Sequence, residues 1–136
     1  MSDDLISDQD YEALAAFRHA MRRFAAFSEM EAKASGLTPR QHQALLAIKG
    51  TPSAPNGLAI SQIAEHLLIQ HNSAVELVDR LAEAGLVRRQ SDPADGRRIL
   101  VTLTERSETV LRGLSAAHLR ELRGIRSTLL ALLRRF

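Results

Sequence analysis

The chain is 136 residues long, carries a net charge of +2 and contains no cysteine. That length supports one domain with its own apolar core, and the absence of thiols excludes disulfides, thiolate metal sites and cysteine redox sensing. The near-neutral total favours no class of partner, but four of the five arginines between residues 57 and 104 fall between Arg88 and Arg98, and residues 105–136 hold seven basic against three acidic side chains.

Ser7-Asp8-Gln9-Asp10 reads as a helix start, with acids in the first turn where the helix dipole favours them. Leu14, Phe17, Met21 and Phe24 recur at spacings of 3, 4 and 3, which predicts one apolar stripe on a helix from about Asp8 to about Ser35, stopped by Gly36. Residues 1–15 carry acids and no lysine or arginine, unlike the basic start of a signal peptide. No apolar run approaches the roughly 18 residues of a spanning helix. A soluble, cytoplasmic protein without a membrane partner is expected.

Thr38-Pro39-Arg40-Gln41 predicts a second helix, with Thr38 as cap, Pro39 at the first position and Gln41 completing a capping box. Leu45, Leu46 and Ile48 mark its buried side, and Gly50 ends it. Thr51 to Gly57, "TPSAPNG", has loop composition. A short helix is then expected from Ile60-Ser61 through Ile63, Ala64, Leu67 and Leu68, with a break near Ile69 to His71. A further helix follows, capped by Asn72 or Ser73, with Glu76 three residues after Ser73 and Ala74, Leu77, Val78 and Leu81 inward. Gly85 suits a left-handed C-terminal position, with Leu86 as its apolar partner. Two short helices joined by a tight turn form a helix-turn-helix.

Leu86 to Gln90 can extend as a strand, "SDPADG" can reverse the chain, and Ile99, Val101 and Leu103 alternate with Leu100 and Thr102 in a returning strand with one better-buried face. Thr104-Glu105 caps a last helix, with a break possible near His118. There Leu111, His118, Ile125 and Leu132 form one series of sevens, and Ser115, Leu122, Leu129 and Phe136 a second. The terminal "LLALLRRF" buries little by itself, which favours a subunit contact. The fold class is therefore mainly α with a small β-hairpin. A winged helix-turn-helix lobe, about 38–104, is joined to a helical dimerisation region, about 8–35 and 105–136, in one domain spanning 1–136.

With these residues in view the chain resembles the MarR family of bacterial transcriptional regulators. The resemblance rests on "LTPRQHQALLAI" followed by "ISQIAEHLLIQHNSAVELVDRLAEAGLVRRQSDPADGRRILVTLTE". Within it "LVDRL", "AGLV" and the D-x-x-D-x-R wing, Asp92, Asp95 and Arg97, are diagnostic in that order. Ser107 stands near a place where relatives often carry glycine, and the C-terminal region is short. The resemblance implies a mostly helical homodimer that binds a near-palindromic double-stranded DNA operator by paired winged helices, often as a repressor, and often responds to a small-molecule effector.

On that reading the helix from about Ser73 to Ala84 enters the major groove, which is wide enough for one helix. Gln70, His71, Asn72, Ser73 and Glu76 are candidates for base edges. Asn and Gln pair with adenine and Glu accepts from cytosine, although Asn72 or Ser73 could serve only as a cap and Glu76 only to complete a capping box. The family position of Arg80 implies a phosphate contact or a salt bridge, and Asp79 is expected to pair with a nearby arginine. Arg88 and Arg89 alternate across a strand, so one of them, Arg88, is expected to face DNA. A narrow hairpin can carry a guanidinium into the minor groove, where negative potential concentrates. Arg97 is expected there, Arg98 at a phosphate, and Asp95 as a brace for Arg97.

Histidines 19, 42, 66, 71 and 118 lack a compact ligand spacing, so neither a metal nor any other cofactor is expected. The lack of cysteine excludes the family's peroxide-sensing branch. Phe17, Phe24 and Phe27 could line an effector cleft, with core packing as the plainer role. No nucleophile–base set, paired carboxylates or phosphate-binding loop points to an enzyme. The alternative is a winged-helix module for protein contacts without DNA, which requires an apolar or acidic outer face on the Ser73–Ala84 helix.

Overall fold

The computed structural model describes residues 5–52 and 56–136. In chain order the elements are α1 (Asp8–Ala34), α2 (Pro39–Gly50), β1 (Leu58–Ala59), α3 (Ile60–Leu67), α4 (His71–Glu83), β2 (Val87–Ser91), β3 (Ile99–Leu103) and α5 (Glu105–Leu133). The expected loop from Thr51 to Gly57 lies partly outside the described residues.

Three helices begin where side chains satisfy their first free amides. Ser7 Oγ accepts from the Asp10 amide at 3.1 Å, and Asp10 Oδ2 accepts from the Ser7 amide at 2.9 Å. Thr38 and Gln41 exchange the same pair of bonds at α2. At α5, Ser107 Oγ accepts from the Thr104 amide at 3.0 Å, and Thr104 Oγ1 accepts from the Ser107 amide at 3.3 Å. Ser107 is fully buried as half of this capping pair.

The strands form one antiparallel sheet in the order β1-β3-β2. Val87 pairs with Leu103 and Ser91 with Ile99 in the hairpin, while Leu58 and Ala59 pair with Val101 and Leu100 on the other edge. The expected hairpin is thus part of a three-stranded sheet. A two-residue strand shows no alternation, so its pattern cannot announce it. Leu100 and Val101 are both buried whereas Ile99 is exposed, which departs from simple alternation. β3 is the central strand, and its Leu100 and Val101 are the residues that also pair with β1.

The core gathers Leu45 and Ile48 of α2, Leu58, Ile63 of α3, Leu77, Val78 and Leu81 of α4, and Val87 and Val101 of the sheet. It continues into Ala32 of α1 and Leu111 and Leu114 of α5, so the long helices are rooted in the winged lobe. Beyond that root the helices are less well covered. Leu14 and Met21 of the predicted α1 stripe are exposed, as are Leu119, Leu122, Leu130, Leu133 and Phe136 at the far end of the molecule. α5 runs unbroken through His118, because Gly113 and Gly124 sit in ordinary helical geometry with open space around them.

The turn between α3 and α4 is tighter than expected. Leu68 does not extend α3; it adopts a left-handed conformation with φ 58° and ψ 43°. This lets the Ile69 amide reach back to the Ala64 carbonyl at 3.0 Å. Leu68 is 91% exposed, so its side chain returns little packing for the steric cost of that backbone. Leu68→Gly is expected to raise stability by about 0.5–1 kcal/mol, because relief of the left-handed strain exceeds the added unfolded-state entropy. A urea midpoint unchanged or lowered by the substitution counts against this account.

Candidate nucleic-acid interface

α4 starts at His71, with Gln70 at the capping position and no side-chain cap bond. The expected cap at Asn72 or Ser73 is therefore incorrect. The left-handed Leu68 already turns the chain, so the helix begins earlier and both residues fall within its first turn. Neither their side chains nor that of Glu76 are used for capping. Gln70, His71, Asn72 and Glu76 are exposed and Ser73 is half-buried. The opposite face, Ala74, Leu77, Val78 and Leu81, is locked into the core.

The far end of α4 is held by the start of α5. Thr104 Oγ1 donates to the Gly85 carbonyl at 2.8 Å, and Arg106 Nη1 donates to the Ala84 carbonyl at 3.0 Å. Gly85, with φ 73°, supplies the left-handed residue that ends the helix, and the Leu86 amide closes on the Leu81 carbonyl at 2.9 Å. The helix is thus presented outward from a fixed base.

Asp79 of α4 forms an ion pair with Arg89 of β2, the pairing expected for that aspartate. It joins the helix to the wing. Arg88, its neighbour on β2, is exposed and makes no ion pair among the described residues, so the alternation separates one structural arginine from one outward arginine.

At the wing tip Asp92 and Asp95 organise the backbone. Asp92 Oδ1 accepts from the Ala94 amide at 2.9 Å and Asp95 Oδ1 from the Arg97 amide at 3.1 Å, as aspartates do in tight turns. The Asp92 amide donates to the Arg98 carbonyl at 2.8 Å and the Arg98 amide to the Asp95 carbonyl at 3.0 Å. Asp95 therefore supports Arg97 through its main chain. Among the described residues no ion pair engages either guanidinium, and Arg97 and Arg98 are both exposed.

A shallow depression of about 160 Å³ joins the start of α2 to α4, lined by Thr38, Arg40, Ser73, Glu76, Leu77 and Arg80. Arg40 and Arg80 are exposed on its rim. Arg40 was not singled out in the sequence, where it reads only as part of a helix start; its nearness to Arg80 is a tertiary fact. The outer face of α4 is mixed in charge, with Glu76, Asp79, Arg80 and Glu83 all exposed and Asp79 matched by Arg89. It is not apolar, but with three acids to one arginine it has the acidic character that the protein-contact alternative also allows.

Comparison with known proteins bears on the fold that carries these residues. The sequence model of the MarR family matches residues 35–98. The uncharacterised HTH-type transcriptional regulator YfiV of Bacillus subtilis is 37% identical over 57 residues, which is 42% of this chain and 36% of YfiV. The MarR family transcription regulator SP03579 superposes with a TM-score of 0.72 at 25% identity, over 93% of this chain and 89% of that one. Residues 35–98 thus match the MarR family, and the fold as a whole is that of solved MarR-family regulators. Members are transcription regulators rather than enzymes. Two further solved members of this fold carry ligands: CouR from Rhodococcus jostii RHA1, bound to p-coumaroyl-CoA (26% identity, TM-score 0.69, 86% and 82% covered), and a MepR variant from S. aureus bound to an oligodeoxyribonucleotide (20%, 0.67, 86% and 82%).

Within this MarR-like fold the phenylalanines pack between helices. Phe17 meets Phe136 edge-on at 6.0 Å, and Phe24 and Phe27 pack against His118. Among the described residues no group of three metal-ligating side chains comes together, and no helix is long and apolar enough to cross a membrane.

Proposed function

We propose that this protein is a homodimeric DNA-binding repressor that presents two α4 helices and two wings to a near-palindromic operator. The observation that carries the reading is the shared disposition of two surfaces on one rigid lobe. The first turn of α4 offers free polar side chains at Gln70, His71, Asn72 and Ser73. The wing offers Arg97 and Arg98, which form no ion pair among the described residues. A helix of this kind fits the major groove, and an adjacent arginine-tipped hairpin reaches the minor groove. Arg40, Arg80 and Arg88 are positioned to meet phosphates between them, which set register without reading sequence. Glu76 would accept from a cytosine amino group within that basic surround.

The exposed apolar side chains at the ends of α1 and α5 support the dimer. Leu14 and Met21 of α1 and Leu122, Leu130 and Leu133 of α5 are left exposed by a single chain, and a second copy would cover them. Residues 8–35 and 105–136 would form the dimerisation region and 38–104 the DNA-binding lobe. The MepR complex with an oligodeoxyribonucleotide supports DNA as partner, and CouR with p-coumaroyl-CoA supports a small-molecule effector. Cytoplasmic location follows from a chromosomal target.

An electrophoretic mobility assay with the DNA upstream of the protein's own gene is the direct test. Retardation that survives excess non-specific competitor is expected, together with a light-scattering mass of twice 15.0 kDa. A lone subunit at working concentration, or no retained promoter fragment from genomic DNA, would overturn the reading.

A further inference from the structure

The junction of α1, α2 and α5 holds a pair of imidazoles that DNA contact does not use. His42 of α2 and His118 of α5 face each other with ring centroids 4.9 Å apart. His42 is 3% exposed, and its Nδ1 has no hydrogen-bond partner. His118 is engaged at both nitrogens: Nδ1 lies 2.7 Å from the Leu114 carbonyl, and Nε2 lies 2.8 Å from Ser28 Oγ of α1. A carbonyl only accepts, so Nδ1 carries the proton in neutral His118 and Nε2 accepts from the serine hydroxyl. Phe24 and Phe27 of α1 pack edge-on against the His118 ring at 5.9 and 5.3 Å. Two long helices and the first helix of the winged lobe therefore meet on two titratable rings.

We propose that this pair is a proton-sensitive joint: charging the two imidazoles loosens α1 and α5 from the lobe that carries α4 and the wing. Both ring nitrogens of His118 face an oxygen, the Leu114 carbonyl and Ser28 Oγ. His42 has no such partner at Nδ1 and cannot be charged without cost. A cation there would be desolvated, with nothing at Nδ1 to accept its proton, and it would face a second imidazole.

The remaining charged groups of the surrounding elements do not relieve this. Glu31 on α1 and Glu121 on α5 lie one turn beyond Ser28 and His118, and neither forms an ion pair with either ring. Glu108 of α5 is taken by Lys49 of α2 at 3.0 Å, and Asp79 of α4 by Arg89. Arg40 of α2, Glu65 and His66 of α3, and Glu76 and Arg80 of α4 are exposed to solvent. β3 carries no charge.

Burial first, and then the neighbouring His118, hold His42 below its ordinary value of 6.5. The separated state then binds more protons than the packed state once the pH drops below 6.5. The joint is fully stabilised above that value and weakens as the pH falls through the packed-state value.

The test uses the full chain without DNA, so it stands apart from the DNA-binding reading. Histidine ring resonances are followed by NMR from about pH 8 to about pH 5 and assigned with His42→Gln and His118→Gln. Thermal midpoints are compared at about pH 7.5 and about pH 5.5. The expected result is a His42 ring that stays neutral to below 6.5 and a midpoint that falls by several degrees in acid. That fall should be largely removed in His42→Leu. It should be reduced in His118→Phe, which retains His42 and the ring packing but lacks the facing charge. A His42 ring that titrates at or above 6.5, or an acid-induced fall of equal size in both variants, overturns the proposal.

Discussion

Gly57→Ala is expected to destabilise the chain by about 3 kcal/mol, from left-handed strain and overpacking together. Gly57 has φ +109°, which L side chains rarely adopt, and a Cβ built there would overlap the Val101 carbonyl oxygen and lie 2.8 Å from Thr102 Cγ2. The obstructing group is main chain at the centre of the sheet, not the far end of a flexible side chain. Val101 is the residue opposite Leu58 in the β1–β3 pairing, so it cannot retreat without breaking that edge. The thermal midpoint should drop by roughly 10 °C, with loss of amide protection at Leu58 and Ala59. Gly113→Ala is the matched control. That glycine is inside α5 with no heavy atom within 4 Å of its Cβ position, and alanine there should raise stability by about 0.5–1 kcal/mol. Equal midpoints for Gly57→Ala and the parent chain would show that β1 is not fixed as described.

Local chemistry made most of this architecture readable. Ser7, Thr38 and Thr104 each have a partner three residues on, and all three form capping pairs. Gly85 and the Asp92–Arg98 turn likewise act through bonds between near neighbours. What could not be read depended on residues far apart in the chain. The capping pattern pointed to Asn72 or Ser73, yet α4 begins at His71 because a left-handed leucine, a residue type not associated with that conformation, turns the chain first. The apolar period of α1 identified Leu14 and Met21 correctly as a stripe but carried no information on what covers them. Arg40 and Arg80 line one depression from two helices, and His42 meets His118 across the junction with α5. Neither pairing leaves a mark in sequence spacing.

On the proposed DNA-binding reading, Arg97→Ala should weaken DNA binding by about 10- to 100-fold, the loss of one hydrogen bond to a charged group. Asp95 and Asp92 shape the tip through main-chain bonds, so removing the Arg97 side chain leaves the turn intact and isolates the guanidinium. The minor groove distinguishes bases poorly, so the loss should be similar for operator and variant duplexes, and the slope of log K against log salt should fall by about one. Asn72→Ala should behave differently: it removes a base-edge group, reduces preference for the operator and leaves the salt slope nearly unchanged. Arg97→Lys separates charge from shape. Lysine keeps the positive charge and therefore most of the slope, but it lacks the planar fork and is more strongly hydrated, so affinity should recover only in part. Titrations by fluorescence anisotropy at several salt concentrations, for all three variants on operator and scrambled duplexes, provide the comparison. An Arg97→Ala protein with parental affinity and parental slope would remove the wing tip from the contact surface and leave α4 to account for binding alone.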